Sequence, residues 1–189
     1  MTIQVLHVTH YRFTVDKYYA MADAGILKDN ARVELIEGEI VEMAPIGNRH
    51  ASCVDRLVDL LTLLTRQQAI TRVQNPVHIN EYSTVEPDLM LLNRRDDFYV
   101  SGRPRPSDVL LLVEVSDATL LYDRNVKLPI YAEAGIVEVW IVDLQSMQLE
   151  IFWQPSSDGY ALSRILSSGD SVSPVAFPDV SLAVDDILP

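Results

Sequence analysis

Three ionisable residues stand where apolar segments would otherwise continue. Asp88 lies in "EPDLMLL", Glu114 interrupts "DVLLLVEVS", and Lys127 follows in "DRNVKLPIYAEAG". A carboxylate at the end of a buried strand costs free energy unless it is paired or bound to a metal. Two carboxylates from neighbouring strands make a hard, oxygen-rich site suited to Mg2+ or Mn2+. Such an ion activates a water and steadies charge on a phosphate, and a nearby lysine can orient that water or assist the transition state. Lys127 shares a helical stripe with Ile130, Tyr131 and Ala134, the side that should face a sheet. A lysine there either snorkels, with its stem packed and its head in water, or answers the acids on the strands.

The elements that must position these groups follow from periodicity. "TVDKYYAMADAG" predicts a short helix capped by Thr14 or Asp16 and stopped by Gly25. "RVELIEGEIVEM" alternates on both sides of Glu37-Gly38, a hairpin signature that sets Ile36 opposite Glu39 and Glu34 opposite Val41. Glu34, Ile36, Glu39, Val41 and Met43 then share one face. Residues Asn48 to Gln67 carry Val54, Leu57, Val58, Leu61 and Leu64 at helical spacing, with His50 in the first turn as a solvated, capping or functional residue. "ITRVQNPVHI", "VEPDLMLL" and "DVLLLVEVS" each read as a strand, the last apolar on both faces like a covered central strand. "DRNVKLPIYAEAG" predicts a helix capped by Asp123 or Asn125 and stopped by Gly135, which begins or bends near Pro129. "VEVWIVD" is a further strand, "QLEIFWQ" and "GYALSRIL" a closing hairpin, and "FPDVSLAVDDILP" a surface segment with a short final helix. Strand–helix–strand around Lys127 is a βαβ unit, so the fold class is mixed α/β.

Bulk properties bound the function. With 189 residues, 48% hydrophobic and 22% charged, the chain is expected to form one globular domain over 1–189. The single cysteine, Cys53, cannot form an internal disulfide and reads as a small apolar filler on the long helix. No signal peptide is visible in "MTIQVLHVTHYRFTV" and no apolar run is long enough to cross a bilayer, so a soluble cytoplasmic protein without a membrane partner is expected. The net charge of −12 opposes phosphate binding. A nucleic-acid role therefore requires bound cations or a local basic patch. "LLNRRDDFYVSGRPRP", with Arg94, Arg95, Arg103 and Arg105, is either that patch or a solvated loop. Serine-hydrolase elbows, zincin motifs, Walker loops and dinucleotide glycine motifs are absent.

The pair Pro87-Asp88 followed by Glu114-Val115-Ser116 resembles the "PD…(D/E)-x-K" pattern of the PD-(D/E)XK nuclease superfamily, with Ser116 where the lysine should be. A lysine displaced onto the next helix, as Lys127 is, is a variant within that superfamily. The segments "RVELIEGEIVEMAPIGNRH", "EPDLMLL", "LLVEVSDAT" and "YDRNVKLPIYAEAGIVEVWIVD" together resemble the Uma-type restriction endonuclease family, common in cyanobacteria. The resemblance implies a restriction-endonuclease-like core, a mixed central sheet flanked by helices. It also implies an N-terminal helix and hairpin, a C-terminal hairpin, and hydrolysis of DNA phosphodiester bonds with Mg2+ or Mn2+. Asp88 and Glu114 would bind the metal and Lys127 would be the catalytic lysine. Glu39 and His50 match the family's "GE" and "H" motifs, and Glu34 or Glu39 would supply a further acid. A homodimer would assemble a shared DNA groove, with Trp140 and Trp153 as candidates for its interface or for the core. The alternative is a nuclease-fold binding or regulatory protein that does not cleave.

Overall fold

The computed structural model describes residues 10–28, 30–66 and 68–189. The signal-peptide reading rests mainly on residues 1–9 and the predicted end of the long helix falls on Gln67; both lie outside the described residues. The chain divides into two compact units, one of residues up to Met43 with Asn80–Thr84, the other of Ala44–Ile79 with Val85–Pro189. Among the described residues no helix is long and apolar enough to cross a membrane.

The smaller unit is organised by the predicted helix and hairpin. Helix α1 (Val15–Asp23) starts where the Thr14 hydroxyl accepts the Lys17 amide, and the chain turns away through Gly25 at φ +70°. Strands β1 (Val33–Ile36) and β2 (Glu39–Glu42) pair antiparallel in the expected register, Glu34 opposite Val41 and Ile36 opposite Glu39. Val15, Tyr18 and Leu35 form the core of this unit. Gly38 is obligatory at the turn: its φ is +85°, and an added Cβ would stand 2.6 Å from the Arg12 Cβ.

The larger unit is a six-stranded sheet in the order β10-β9-β8-β7-β6-β3. Its strands are β3 (Ala69–Val73), β6 (Leu89–Asn93), β7 (Val109–Ser116), β8 (Glu138–Asp143), β9 (Gln148–Ser156) and β10 (Gly159–Leu166). Only β7 and β8 run parallel, joined by the crossover helix as the βαβ reading requires. Helix α2 (Asn48–Leu64) covers one face through Cys53, Val54, Leu57 and Leu61, against Leu89 and Leu91 of β6 and Val113 and Val115 of β7. Cys53 is a filler in this layer, as its helical position predicts. The fold is mixed α/β, with a mixed central sheet flanked by helices.

Four local readings are corrected. "ITRVQNPVHI" is two strands, β3 and β4 (Val77–Asn80), because Pro76 cannot donate to a ladder and Gln74 turns the chain at φ +46°. "VEPDLMLL" is likewise divided at Glu86-Pro87, into β5 (Ser83–Val85) and β6, so Asp88 immediately precedes its strand rather than lying within it. The crossover helix, α3, begins earlier than Asp123, at Leu120–Tyr122; it widens into a π turn at Asp123–Lys127 and resumes as α-helix over Leu128–Glu133. Finally, the closing segment is not superficial. Leu182, Val184, Ile187 and Leu188 are buried in the main core, because this chain end closes the layer beside α2. Trp140 is also core, its indole N–H donating to Glu138 at 2.7 Å.

Candidate active site

The side chains of β7 alternate between two layers. Val113 and Val115 face α2, whereas Glu114 and Ser116 face α3. Glu114 is 4% exposed and Lys127 6%. The Lys127 ammonium donates to Glu114 Oε1 at 3.2 Å, and the Tyr131 hydroxyl donates to the same oxygen at 2.5 Å. Isolated, either charge would be costly at this depth; together, with the phenol as a second donor, they are mutually compensated. Tyr131 lies one turn beyond Lys127, on the stripe that the sequence assigns to the sheet-facing side.

Asp88 is held at the end of the sheet where β6 parts from β7. Its Oδ2 accepts the Val115 amide at 2.9 Å and lies 3.0 Å from His50 Nε2, while Oδ1 accepts the Gln74 side-chain amide at 3.3 Å. The Gln74 backbone N–H also donates to the Asp88 carbonyl, at 3.2 Å. Asp88 thus takes the place of a backbone acceptor for the peptide that follows Glu114. His50 stands in the first turn of α2 with its Nδ1 buried and lacking a hydrogen-bond partner among the described residues. The neighbouring Cys53 thiol is pushed up to about 12 by burial and by the charge of Asp88, so it is inert rather than nucleophilic.

Four predicted residues, His50, Asp88, Glu114 and Lys127, therefore form two pairs near the C-terminal end of β7: His50 with Asp88, and Lys127 with Glu114. The other two candidates lie in the smaller unit. Glu34 is buried on β1, whereas Glu39 is exposed on β2 with His10 Nδ1 at 3.7 Å. Gln74 and Tyr131 carry no sequence motif; for Tyr131 the i, i+4 spacing from Lys127 was the available signal.

The donors suit an oxygen-preferring divalent cation. Asp88 and Glu114 offer carboxylate oxygens, and the unpaired His50 Nδ1 is the nitrogen left when a ring donates its other N–H to a carboxylate, an arrangement common around metals. Among the described residues no three His, Cys, Asp or Glu side chains are arranged to hold an ion by themselves. Mg2+ does not require such a cage, since one or two protein carboxylates usually suffice beside waters and substrate phosphates.

The same π turn carries a second pair. Arg124 donates through Nε to Glu150 Oε2 at 2.9 Å and through its terminal nitrogen to Oε1, with Asp143 Oδ2 at 3.9 Å. Burial works against the charge of Asp143, but the amides of Ser146 and Gln145 and the guanidinium of Arg124 hold its carboxyl below the usual range.

The basic loop after β6 is built on aromatic rings. The Arg95 guanidinium lies 4.4 Å from the centre of the Tyr99 ring, with Arg72 over the same ring at 5.3 Å, and Arg94 lies 5.3 Å from the centre of the exposed Phe98. Arg95 also binds Asp97 at 2.8 Å. The Ser101 hydroxyl, with the Tyr99 amide and Arg95, holds that carboxyl at about 2.

A family model described as "Uma2: Putative restriction endonuclease" matches residues 15–185. The chain belongs to the Uma2 family. A solved structure from Anabaena variabilis, described as "a putative nuclease belonging to DUF820", shares the fold with a TM-score of 0.69 at 13% identity. The match covers 93% of this chain and 97% of that one. No curated protein matches the chain.

Proposed function

We propose that this chain is an endonuclease that hydrolyses DNA phosphodiester bonds with Mg2+ or Mn2+ as cofactor. The observation that carries the reading is the buried Glu114–Lys127 pair beside Asp88 at one end of β7, within a chain of the Uma2 family. Asp88 and Glu114 would hold the cation, and His50 would either join them or orient Asp88. When bound, the cation supplies an activated water and offsets phosphate charge. Asp88 is oriented by Val115, Gln74 and His50, so its carboxylate presents a fixed oxygen instead of a mobile one. Glu114 is oriented by Tyr131. Lys127 supplies an ammonium that can orient the attacking water or answer charge developing on the phosphate. The basic loop of Arg94, Arg95, Arg103 and Arg105 is the segment suited to follow a DNA backbone, and bound cations would offset part of the −12 net charge.

The test is incubation of purified protein with supercoiled, linear and branched DNA in Mg2+, Mn2+ or EDTA, beside Glu114→Ala. Cleavage in either metal, lost in EDTA and in the variant, is the expected result. Cleavage that survives Glu114→Ala belongs to a contaminant and removes the assignment. A non-cleaving DNA-binding role would show instead as DNA binding with no Mn2+-induced rise in melting temperature.

A further inference from the structure

Position 116 is where the superfamily pattern would place a lysine, and the structure shows what the serine does there. Ser116 is wholly buried, and its hydroxyl donates to Asp123 Oδ2 at 2.7 Å. The Thr119 hydroxyl donates to the same oxygen, also at 2.7 Å. Asp123 is 5% exposed and is the first residue of the π turn; Lys127 is the last.

A π turn holds one residue more than an α turn and so rotates everything beyond it by about 100° relative to a continuous α-helix. That rotation decides which way Lys127 points. On the far side, the helix is fixed by Ile130, Tyr131 and Ala132, all buried. On the near side, it is fixed by Asp123. Pro129 reinforces the irregularity, because its ring would clash with the Asn125 carbonyl in a regular α-helix.

We propose that Asp123, held by Ser116 and Thr119, is a positioning residue that sets the π turn and thereby seats the Lys127 ammonium on Glu114. The residue that replaces the motif lysine anchors the lysine that took over its task. The positional claim concerns geometry; its catalytic meaning rests on the nuclease reading above.

The chain has only three lysines, Lys17, Lys28 and Lys127, and the first two are exposed. Trace acetylation with acetic anhydride in EDTA, quantified by mass spectrometry, therefore reads the seating of Lys127 without any turnover. In the wild type, Lys127 should label at least about tenfold more slowly than Lys28, since a buried amine reacts only through local opening. In Ser116→Ala with Thr119→Val, and in Asp123→Ala, Lys127 labelling should rise at least about fivefold while Cys53 stays protected from thiol reagents, the mark of local rather than global opening. If cleavage is established, the same variants should lose about 100-fold in kcat with unchanged DNA affinity in EDTA, the size of effect expected from a misplaced catalytic group. Asp123→Asn, which keeps an acceptor oxygen, should recover part of the loss. Unchanged Lys127 labelling in the Ser116→Ala, Thr119→Val protein overturns the proposal even if Asp123→Ala fails to fold. A wild type that cleaves nothing in any metal defeats the nuclease reading alone, and the labelling result still decides the positioning.

Discussion

Two buried carboxylates on the α3 face of the sheet invite direct comparison. Glu114 of β7 and Glu150 of β9 both stand opposite Ile141 of β8, one on either side, roughly 10 Å apart by the spacing of strands. Each is answered by a cation from the same π turn, Lys127 for Glu114 and Arg124 for Glu150. The arrangements nevertheless differ in kind. Arg124 is a planar fork that grips both oxygens of Glu150, is permanently charged, and is 34% exposed on its side chain. Lys127 is a compact point charge that donates to Glu114 Oε1, the oxygen that also accepts the Tyr131 hydroxyl, and it is buried. The Arg124 pair has the geometry of a clamp. In the proposed reading the Lys127 pair is the site, because an ammonium can turn to a substrate oxygen without dismantling a planar fork.

The comparison breaks most clearly by activity. Lys127→Met should lower metal-dependent DNA cleavage by about 10²- to 10⁴-fold, the range for losing a positioned proton-handling or charge-stabilising side chain, whereas Arg124→Met should leave most of the cleavage rate intact. Equal losses in a plasmid-nicking assay would erase the distinction between the two pairs.

Stability separates the pairs next. Glu114→Ala leaves Lys127 buried without its carboxylate and should cost about 3–5 kcal/mol in urea denaturation. Glu150→Ala leaves Arg124 able to reach water and should cost nearer 1 kcal/mol. A double change, Glu114→Leu with Lys127→Met, should restore most of the lost stability, because an apolar pair of similar volume carries no desolvation penalty.

Acid should act more gently, and on the clamp side. The Asp143 carboxyl is held below its usual range, so its stabilisation is complete above the unfolded value of about 3.9 and is lost as pH falls through the lower folded value. Asp143→Asn should flatten the decline in melting temperature below about pH 4, leaving the neutral region little changed. The smallest effect concerns reactivity: with its thiol near 12, Cys53 should resist a thiol reagent at pH 8 until the chain unfolds.

Much of this architecture is legible in the residues themselves. The alternation around Glu37-Gly38 specified the hairpin and its register, and the continuous apolar run at Val109–Val113 marked the covered strand. Asp88, Glu114 and Lys127 stood out because an ionisable group beside apolar residues carries a desolvation cost that demands a partner. The partners were harder to read. Gln74 reaches Asp88 only because the chain turns left-handed before Pro76, and Asp123 resembles a helix cap until two hydroxyls from outside the turn are seen to enclose it. Such contacts depend on which layers meet, and local periodicity carries no information about that. The π turn was illegible for a related reason: an extra residue in a helix leaves no trace in composition, and Pro129 alone signalled only that regularity would fail nearby.

Asp88 is bound into the peptide ladder through Val115 as firmly as into any chemistry, and that has a consequence for descent. A lineage that stopped cutting DNA would still need an acceptor for that amide, so architecture alone would retain the aspartate. Across a family of such chains, keeping the aspartate would therefore not by itself mark the members that cleave DNA.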